Sequence, residues 1–313
     1  MQVDIIIVNW IAGHQLWRCL RSIERHGREL EGKVVVVDNA STDTSLDYAL
    51  TVDLPVHVIR NNDNLGFARA CNQGAAVCDA PYLLFLNPDT ELYDVSLEVP
   101  LEFMENNAHK DVGICGIQLI DEHGNVPKTC ARFPSLARFI ARILGLNRIP
   151  GLKGTGVHMK EWDHQSNRLV DQVIGAFFLV RRKLFEDLEG FDERFFVYFE
   201  EVDFSKRARS LGWKTWYLAD ARAFHAGGGT SKQVKTQRLF YSLRSRLLYA
   251  FKHFPRWQAM ILVVFTILVE PCTRVLFCLL RFDFQGIKNT LSGYKMLWHS
   301  LPDIFDNRPK NSK

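Results

Sequence analysis

The chain has 313 residues, of which 47% are hydrophobic and 24% charged, so it can bury a sizeable core in one large domain or two small ones. Its net charge of +4 is too small to indicate a protein dedicated to nucleic-acid binding. Seven cysteines stand without CxxC pairs or metal-ligand spacing, which argues against a disulfide framework and is typical of reduced thiols in the cytosol.

The first ninety or so residues alternate short apolar runs with helical patterns. The apolar runs predict strands at residues 3–8, 33–37, 56–59 and 82–86. Helical periodicity predicts helices at residues 14–26 and 66–77, and one that begins after an N-cap at 41–43 and ends near residue 50. Strand–helix alternation of this kind predicts a parallel sheet built from βαβ units.

Polar side chains follow each of these strands at the point where the strand ends. They are Asn9, Asp38, Asn61 and Asp89. The carboxyl-terminal edge of an open α/β sheet is where ligands bind, so four polar residues in succession predict a shared pocket. Asn and Asp also favour turns for local reasons, and four ordinary turns remain an alternative.

The pattern is less regular in the second half of the chain. It predicts a helix at residues 95–106, a strand at 112–120, and a helix followed by a mobile loop between 133 and 167. That loop could cover a site or be a plain surface excursion. Strand character returns at 170–181, and Gly227 to Thr230 predicts a flexible joint before a basic helical segment at 231–253.

An acidic cluster stands among aromatic residues. Glu200, Glu201 and Asp203 follow a segment, 195–199, that contains four aromatic residues, and they precede a basic amphipathic helix predicted at 205–211. Carboxylates in such surroundings are unfavourable unless they meet a metal, a cation or a substrate hydroxyl, and their pKa values should be raised. The alternative is a solvated helix start, where the dipole favours acids. Asp203 could cap the helix or pair with Arg207 four residues on.

The segment 259–280 is strongly apolar but is interrupted by Glu270, Pro271 and Arg274. A transmembrane helix needs about 20 apolar residues with few charges. The pattern therefore favours a helix–break–helix lying in the membrane interface, with basic neighbours from Lys232 onward meeting anionic headgroups. Packing against the core or a partner, and a true membrane span, remain alternatives.

Several stretches resemble family-2 glycosyltransferases with the GT-A fold. They are DIIIVNW (4–10), VVVVDNASTD (34–43), NNDNLGFARACNQGA (61–75), LLFLNPD (83–89) and VIGAFFLVRR (173–182). The strongest match is GFDERFFVYFEEVDFSKRARSLGW (190–213), followed by AFHAGGGTS (223–231), and the resemblance covers about residues 3–253. The NPD variant and the YFEEVDF block most resemble bacterial rhamnosyltransferases that build O-antigen and other cell-surface glycans.

The resemblance implies an α/β fold with a Rossmann-like, mostly parallel GT-A sheet flanked by helices. The catalytic domain would occupy residues 1–230, with a nucleotide-sugar half at about 1–115 and an acceptor half at about 116–230. Residues 231–313 would form a helical, membrane-associating extension.

The resemblance also implies roles for single residues. Asp89 and His225 would hold a divalent cation, Mn²⁺ or Mg²⁺, at the donor diphosphate, and Asn87 stands where many relatives carry an acid. Glu201 would be the general base, with Glu200 orienting it or an acceptor hydroxyl. For Asp89 and His225 taken singly, a turn residue and a structural histidine are the alternatives.

The remaining implied contacts are to the donor. Asp38 would hydrogen-bond the nucleobase in a pocket that is also lined by Val8 and Asn9, and the other implied donor residues are Gly66, Arg69, Asn72, Asn87, Asp89, Gly175 and Ala176. Arg69 could equally be a surface charge, and Gly175 and Ala176 part of a tightly packed strand. The chain contains neither GxGxxG in its first βα turn nor a P-loop motif, which disfavours both kinds of site.

The resemblance implies an inverting glycosyltransferase. With the basic and apolar segments after Lys232, it predicts a protein that is peripherally bound or interfacially anchored at the cytoplasmic face of the inner membrane. It would move a sugar, L-rhamnose from dTDP-rhamnose, to a lipid-linked or cell-surface glycan, with no role for nucleic acid. A catalytically silent scaffold protein with the GT-A fold is the alternative. A nucleotidyltransferase is disfavoured because such enzymes usually carry a basic, glycine-rich phosphate loop near the first strand.

Overall fold

A computed structural model describes residues 2–27, 31–49, 51–149, 151–227 and 234–306, which fall into two compact units. The sheet unit comprises Met1–Arg132, Trp162–Glu193 and Glu200–Thr230. The helical unit comprises Phe133–Glu161, Arg194–Phe199 and Ser231–Lys313. The helical unit thus takes in two segments, 133–161 and 194–199, that the sequence analysis places within the catalytic domain.

The N-terminal half of the sheet unit is a run of βαβ units. It consists of β1 (Val3–Asn9), α1 (His14–His26), β2 (Val34–Asp38), α2 (Ser45–Ala49), β3 (Val56–Arg60), α3 (Phe67–Ala76) and β4 (Tyr82–Leu86). The strands pair in parallel in the order β3-β2-β1-β4, which confirms the predicted βαβ pattern.

Helices cover both faces of this parallel sheet. Ile5 and Ile7 share a core cluster with Leu16 of α1. On the opposite face, a Cβ added to Gly74 of α3 would lie 2.5 Å from the Ile6 side chain, so α3 packs directly on the strand. Burial on both faces explains why β1 reads as one continuous apolar run.

After β4 the chain forms five more strands, which complete the sheet on the other side of β4, and four α-helices. They are β5 (Thr90–Leu92), α4 (Glu98–Glu105), β6 (Val112–Ile120), α5 (Leu136–Ile143, in the helical unit), β7 (Arg168–Val170), β8 (Phe177–Arg181), α6 (Arg182–Asp187), α7 (Glu200–Ser210) and β9 (Lys214–His225). The full order is β3-β2-β1-β4-β8-β6-β9-β5, with β7 pairing β9. Because β8 runs antiparallel to β4 and β6, the sheet becomes mixed beyond β4.

Two expectations about this half are wrong in detail. The single strand predicted at 170–181 is divided, since β7 ends at Val170 and β8 begins at Phe177. The carbonyl of Ala176 instead accepts hydrogen bonds from the Asn87 N–H (3.0 Å) and the Thr90 hydroxyl (3.3 Å). Helix α7 begins at Glu200 and not at residue 205, so the three acids form its first turn.

The acids of that first turn have different surroundings. Asp203 is fully buried and receives a 2.8 Å ion pair from Arg207, which confirms the predicted i,i+4 pair. Arg207 also donates to the carbonyls of Leu188 and Gly190, at 2.6 and 2.8 Å. Asp203 is therefore a structural residue that fixes α7 on the preceding turn, and this leaves Glu200 and Glu201 for chemistry.

The helical unit contains α5 and four further helices. They are α8 (Lys235–His253), α9 (Arg256–Val264), α10 (Glu270–Leu279) and α11 (Phe284–Asp306). Of the glycine joint predicted at 227–230, only Gly227 lies within the described residues, and Lys232 lies outside them. Helix α11 lies in the extension expected to be helical at 231–313, although the sequence pattern gives no bounds for it.

The break predicted around Glu270, Pro271 and Arg274 is wrong. A π-helical turn, Phe265–Val269, joins α9 to α10, so one helix runs from Arg256 to Leu279. In this turn the Glu270 N–H donates to the Phe265 carbonyl, five residues back. Pro271 falls in the first turn of α10, where its missing N–H and fixed φ are tolerated.

Candidate active site

The ends of β1 and β2 are joined by buried polar side chains. The Asn9 amide nitrogen donates to the Asp38 carboxylate at 2.7 Å and to the Ser45 hydroxyl at 2.9 Å. Asp38 also accepts from the Ser41 N–H at 3.3 Å. The Asn9 side-chain oxygen is a buried acceptor without a hydrogen-bond partner among the described residues. An unsatisfied buried polar atom is rare in a folded protein and marks this strand edge as a place to look for a ligand.

The end of β3 belongs to the same polar network. Asn61 donates to the Asn39 side chain at 2.8 Å and exchanges two amide hydrogen bonds with Gln73, at 2.9 and 3.0 Å. Asn39 in turn donates to the carbonyl of Gly66 at 3.1 Å. Gly66 has a φ of 90°, a backbone conformation that favours glycine. Asn39, Ser41 and Ser45 are not among the site residues predicted from the sequence, in which residues 41–43 indicate only a helix cap.

Two of the proposed donor contacts on α3 are engaged within the protein. The Asn72 amide donates to the Phe191 carbonyl at 2.8 Å and accepts from the Phe191 N–H at 2.9 Å, so it anchors the 190–193 turn. Arg69 lies 3.8 Å from Glu193, and both side chains are nearly half exposed. These contacts are those of an anchoring amide and a surface charge, and a donor role for either residue stays a prediction.

The two residues implied as metal ligands lie side by side. Strand β5 pairs antiparallel with β9, with Thr90 opposite His225, and the Ala226 N–H donates to the Asp89 carbonyl at 3.1 Å. The imidazole Nε2 of His225 is 3.3 Å from the carboxylate Oδ1 of Asp89. The side chains are only 11% and 9% exposed, respectively. Residues far apart in sequence therefore form one polar pair in a largely buried place.

The chemistry of this pair fits a divalent cation as part of a ligand set. A carboxylate oxygen is a preferred ligand of Mn²⁺ and Mg²⁺, and an imidazole nitrogen can complete the protein's share. Within the described ranges, no three His, Cys, Asp or Glu side chains converge as a metal site. The remaining ligands would have to come from substrate phosphate oxygens and water, as is usual for cations bound with nucleotides.

Glu201 lies close to the NPD segment through a short series of contacts. A Cβ added to Gly175 would lie 3.9 Å from both the Cβ and the Cγ of Glu201. The next residue, Ala176, accepts the hydrogen bond from Asn87, two residues before Asp89. Glu201 thus borders Gly175, and the NPD segment is bonded to the adjacent residue, Ala176. The absence of a side chain at position 175 leaves room beside the Glu201 stem.

Glu200 is the more deeply buried of the two acids, at 5% exposure. Its Oε2 has no hydrogen-bond partner within the described part of the chain. Burial, and after it the charge of Glu201, raises the pKa of Glu200 well above its usual range. Burial raises the pKa of the Cys71 thiol of α3, and the nearby negative charge of Glu200 raises it further. Glu200 is therefore held toward its neutral form.

This burial leads to a stability prediction for Glu200→Gln. Because the folded-state pKa is raised, the contribution of Glu200 to stability is fully present below the unfolded pKa of about 4.3 and is lost as pH rises through the folded value. The amide cannot ionise, so we expect the variant to be more stable than the parent at mildly alkaline pH, by about 1 kcal/mol or more. Urea unfolding across a pH series measures this, and parallel pH curves for variant and parent would contradict it.

Comparison with known proteins gives matches at the level of family and fold. The sequence model of Glycosyl transferase family 2 matches residues 4–189. An N-acetylglucosaminyl-diphospho-decaprenol L-rhamnosyltransferase of Mycobacterium tuberculosis is 26% identical over 274 residues, covering 82% of this chain and 87% of that protein. The rhamnosyltransferase WbbL of Escherichia coli K12 is 25% identical over 228 residues, covering 69% and 81%.

Solved structures share the fold at low sequence identity. The mannosyltransferase PcManGT of Pyrobaculum calidifontis, in complex with GDP-Man and Mn²⁺, matches with a TM-score of 0.53 and 16% identity, covering 93% of this chain and 73% of that one. TarS 1–349 of S. aureus matches with a TM-score of 0.51 and 16% identity, covering 97% and 92%. These neighbours share a GT-A-like mixed sheet with flanking helices, and the predicted fold class is confirmed.

Proposed function

The chain belongs to glycosyl transferase family 2, and we propose that it transfers L-rhamnose from dTDP-rhamnose to a lipid-linked glycan at the cytoplasmic face of the inner membrane. The similarity to two rhamnosyltransferases supports the choice of sugar. The name of the mycobacterial relative describes an acceptor carried on a diphospho-decaprenol lipid, which supports an acceptor of that class.

The observation that carries the proposal is the placing of the acids around the NPD segment. Asp89 contacts His225. The stem of Glu201 lies beside Gly175, and the carbonyl of the next residue, Ala176, accepts a hydrogen bond from the Asn87 N–H. A transferase of this kind needs a base for the acceptor hydroxyl and a means of holding the donor diphosphate. The chain presents candidates for both within one region of the sheet unit.

In the proposed reaction, a carboxylate oxygen of Glu201 takes the proton of an acceptor hydroxyl. The hydroxyl oxygen attacks the anomeric carbon as the bond from that carbon to the diphosphate oxygen breaks, and the nucleoside diphosphate leaves with the electron pair. A single displacement of this kind inverts the anomeric configuration. Glu200 is held toward its protonated, neutral form by burial, so it would not compete with Glu201 for the proton of the acceptor hydroxyl.

The donor would be held at the carboxyl edge of β1 and β2. Asp38 and Asn9 would face the nucleobase with Val8 beside them, while Gly66 allows close approach of the backbone. Asp89 and His225 would hold a divalent cation that, when bound, neutralises charge on the diphosphate. The backbone at Gly175 and Ala176 would border the sugar, next to Glu201.

A thermal-shift panel of nucleotide sugars with and without Mn²⁺ tests this proposal. A ligand that binds only the folded state raises Tm, and a free concentration of about 100 times Kd adds about 2.7 kcal/mol of stability. We expect dTDP-rhamnose to give the largest shift, and Mn²⁺ to increase it. Asp89→Asn should lose the increase due to Mn²⁺ while keeping a smaller shift from the nucleotide.

The matched control is Asp79→Asn, whose carboxylate is exposed and forms a surface ion pair with Lys33. It should keep the full response to donor and cation. If no nucleotide sugar raises Tm, the donor site is wrong. A clear shift without any transfer to a lipid-linked acceptor would favour the alternative of a catalytically silent scaffold.

A further inference from the structure

The helical unit carries one helix that is long and apolar enough to cross a membrane, Arg256–Leu279, formed by α9, the π turn and α10. Only 22% of its most apolar stretch is buried inside the protein. The exposed apolar side chains recur along one face and define an apolar stripe: Trp257, Met260, Val264, Leu268, Leu276 and Leu279. The buried positions Ala259, Leu262, Thr266 and Glu270 lie on the other face. Such a stripe is typical of a helix with one solvent-facing or lipid-facing side.

Helix α11 has a second apolar stripe with a strict seven-residue spacing. It consists of Phe284, Leu291, Trp298 and Phe305, all at least 45% exposed. Lys288 and Lys295 are exposed four residues after the first two of these, so they border the stripe on the same helix. Arg256 and Arg281 are exposed at the two ends of the α9–α10 helix. Tryptophan and basic residues flanking an apolar surface complement an interface that carries anionic headgroups.

The helices before and after the apolar helix lie against each other. Near their starts, Thr236 of α8 donates to Asn289 of α11 at 3.1 Å. Near their ends, the rings of Phe251 and Phe305 are 5.5 Å apart. Contacts at both ends mean that α8 and α11 run side by side in the same direction. Helix α10 returns along α11, since a Cβ added to Gly286 would lie 2.9 Å from the Cys278 sulfur.

A membrane-crossing position of the apolar helix would therefore carry its neighbours into the hydrocarbon. Helix α8, Lys235–His253, contains five Lys and Arg residues and no Asp or Glu. Charges of this kind are costly at the centre of a bilayer. Because α8 and α11 are in contact, the apolar helix between them cannot cross a membrane with α8 on one side and α11 on the other.

A buried ionic cluster fixes the apolar helix to α8. Arg246 of α8 donates to the Thr266 hydroxyl at 2.9 Å and forms an ion pair with Glu270, both within the apolar helix. Arg274 donates to the same carboxylate at 3.0 Å. Pulling the helix away from α8 to insert it alone would leave buried charges without partners, which is strongly unfavourable.

We propose that the helical unit binds in the plane of an anionic lipid bilayer, with the two apolar stripes inserted at the boundary of headgroups and acyl chains and no helix of α8–α11 crossing it. This deepens the proposed function by assigning the surface that would bring the enzyme to a lipid-linked acceptor. It depends on that function only for the identity of the acceptor, because the surface is defined by its own residues.

Vesicle flotation tests the surface. We expect the protein to float with phosphatidylcholine vesicles that contain phosphatidylglycerol, and to bind pure phosphatidylcholine vesicles more weakly. The double variant Leu268→Gln, Leu276→Gln should reduce binding by about tenfold or more, because both side chains are exposed on the stripe. The matched control is Leu169→Gln with Leu211→Gln, two exposed leucines of the sheet unit, which should bind as the parent does. Equal binding by both double variants, or a stripe that mediates a dimer while vesicles stay unbound, overturns the proposal.

Cysteine labelling tests the in-plane arrangement. In a Cys272→Ser, Cys278→Ser background, Gln237→Cys on α8 and Ser292→Cys on α11 place thiols at exposed positions away from the stripes. With protein added outside sealed vesicles, both thiols should react with a water-soluble maleimide as fast as they do without lipid. Protection of either thiol, or of both, by lipid would show that a helix crosses the bilayer and would overturn the proposal. Neither experiment uses a sugar, so normal vesicle binding without transfer would refute the proposed function and leave this inference standing.

Discussion

Glu201→Gln is expected to lower kcat for sugar transfer by about 10²–10⁴-fold, the usual contribution of a general base. Glutamine has the same shape but cannot accept the hydroxyl proton. The Glu201 stem lies beside Gly175, and glutamine keeps that stem unchanged. Because the change removes only the base, the thermal shift produced by the donor should be nearly unchanged, and the loss should appear in kcat and not in the KM for the donor.

The control for this variant is Glu105→Gln, at an exposed position near the end of α4. It makes the same chemical change away from the proposed site and should retain full turnover. Turnover by Glu201→Gln at the parent rate would remove Glu201 as the base. A loss of donor binding together with turnover would instead show that the substitution disturbs the pocket, and Glu201→Asp would then separate geometry from charge.

The parallel half of the sheet could be predicted because its strands are buried on both faces. Val34–Asp38 is buried at every position, and its first four residues are valines that form an unbroken apolar run in the sequence. Strand β9 shows a different pattern, in which exposed residues such as Asp220 and Arg222 alternate with buried ones, and it is not among the strands predicted from the sequence. Strand β5 has only three residues, Thr90–Leu92, which is too short for a periodic signal.

The same difference explains what could be predicted of the site. Asn9, Asp38 and Asn61 follow predicted strands, so their common edge follows from the βαβ pattern. The contact of Asp89 with His225 depends on the pairing of β5 with β9, and only the resemblance to a family suggested it. Long-range pairing of short strands is set by tertiary packing, which local periodicity does not encode.

The charges within the apolar helix predict a break that the structure lacks, for a related reason. Glu270 and Pro271 look like a break in a segment that is otherwise apolar. In the structure a π turn directly before Glu270 lets the helix continue past Pro271. Arg246 of another helix forms an ion pair with the Glu270 carboxylate. Neither the π turn nor the ion pair can be recognised from the segment alone. Its sequence therefore shows a charge and a proline that are unfavourable in an apolar helix, without the contacts that offset them.

Glu270→Gln is expected to destabilise the helical unit by about 3–5 kcal/mol, because it leaves Arg246 buried without its counter-charge. Burial alone would raise the pKa of Glu270, but Arg246 and Arg274 lower it to about 2. A depressed folded pKa contributes stability that is present above the unfolded value of about 4.3 and is lost as pH falls through the folded one. The parent should therefore lose stability between about pH 4 and pH 2 at this site, and the variant should lack that part of the pH dependence.

Two further variants separate the ion pair from the packing around it. Arg246→Met with Glu270→Leu replaces both charges by apolar side chains of similar size and should restore most of the lost stability, since such swaps of buried ion pairs are often neutral. Arg274→Gln should cost less than Glu270→Gln, because Arg274 is about one-third exposed and leaves the Arg246–Glu270 pair in place. Urea unfolding at neutral pH measures all three. If Glu270→Gln is as stable as the parent, the cluster does not hold the apolar helix to α8, and only the contact of α8 with α11 then opposes a membrane-crossing position of that helix.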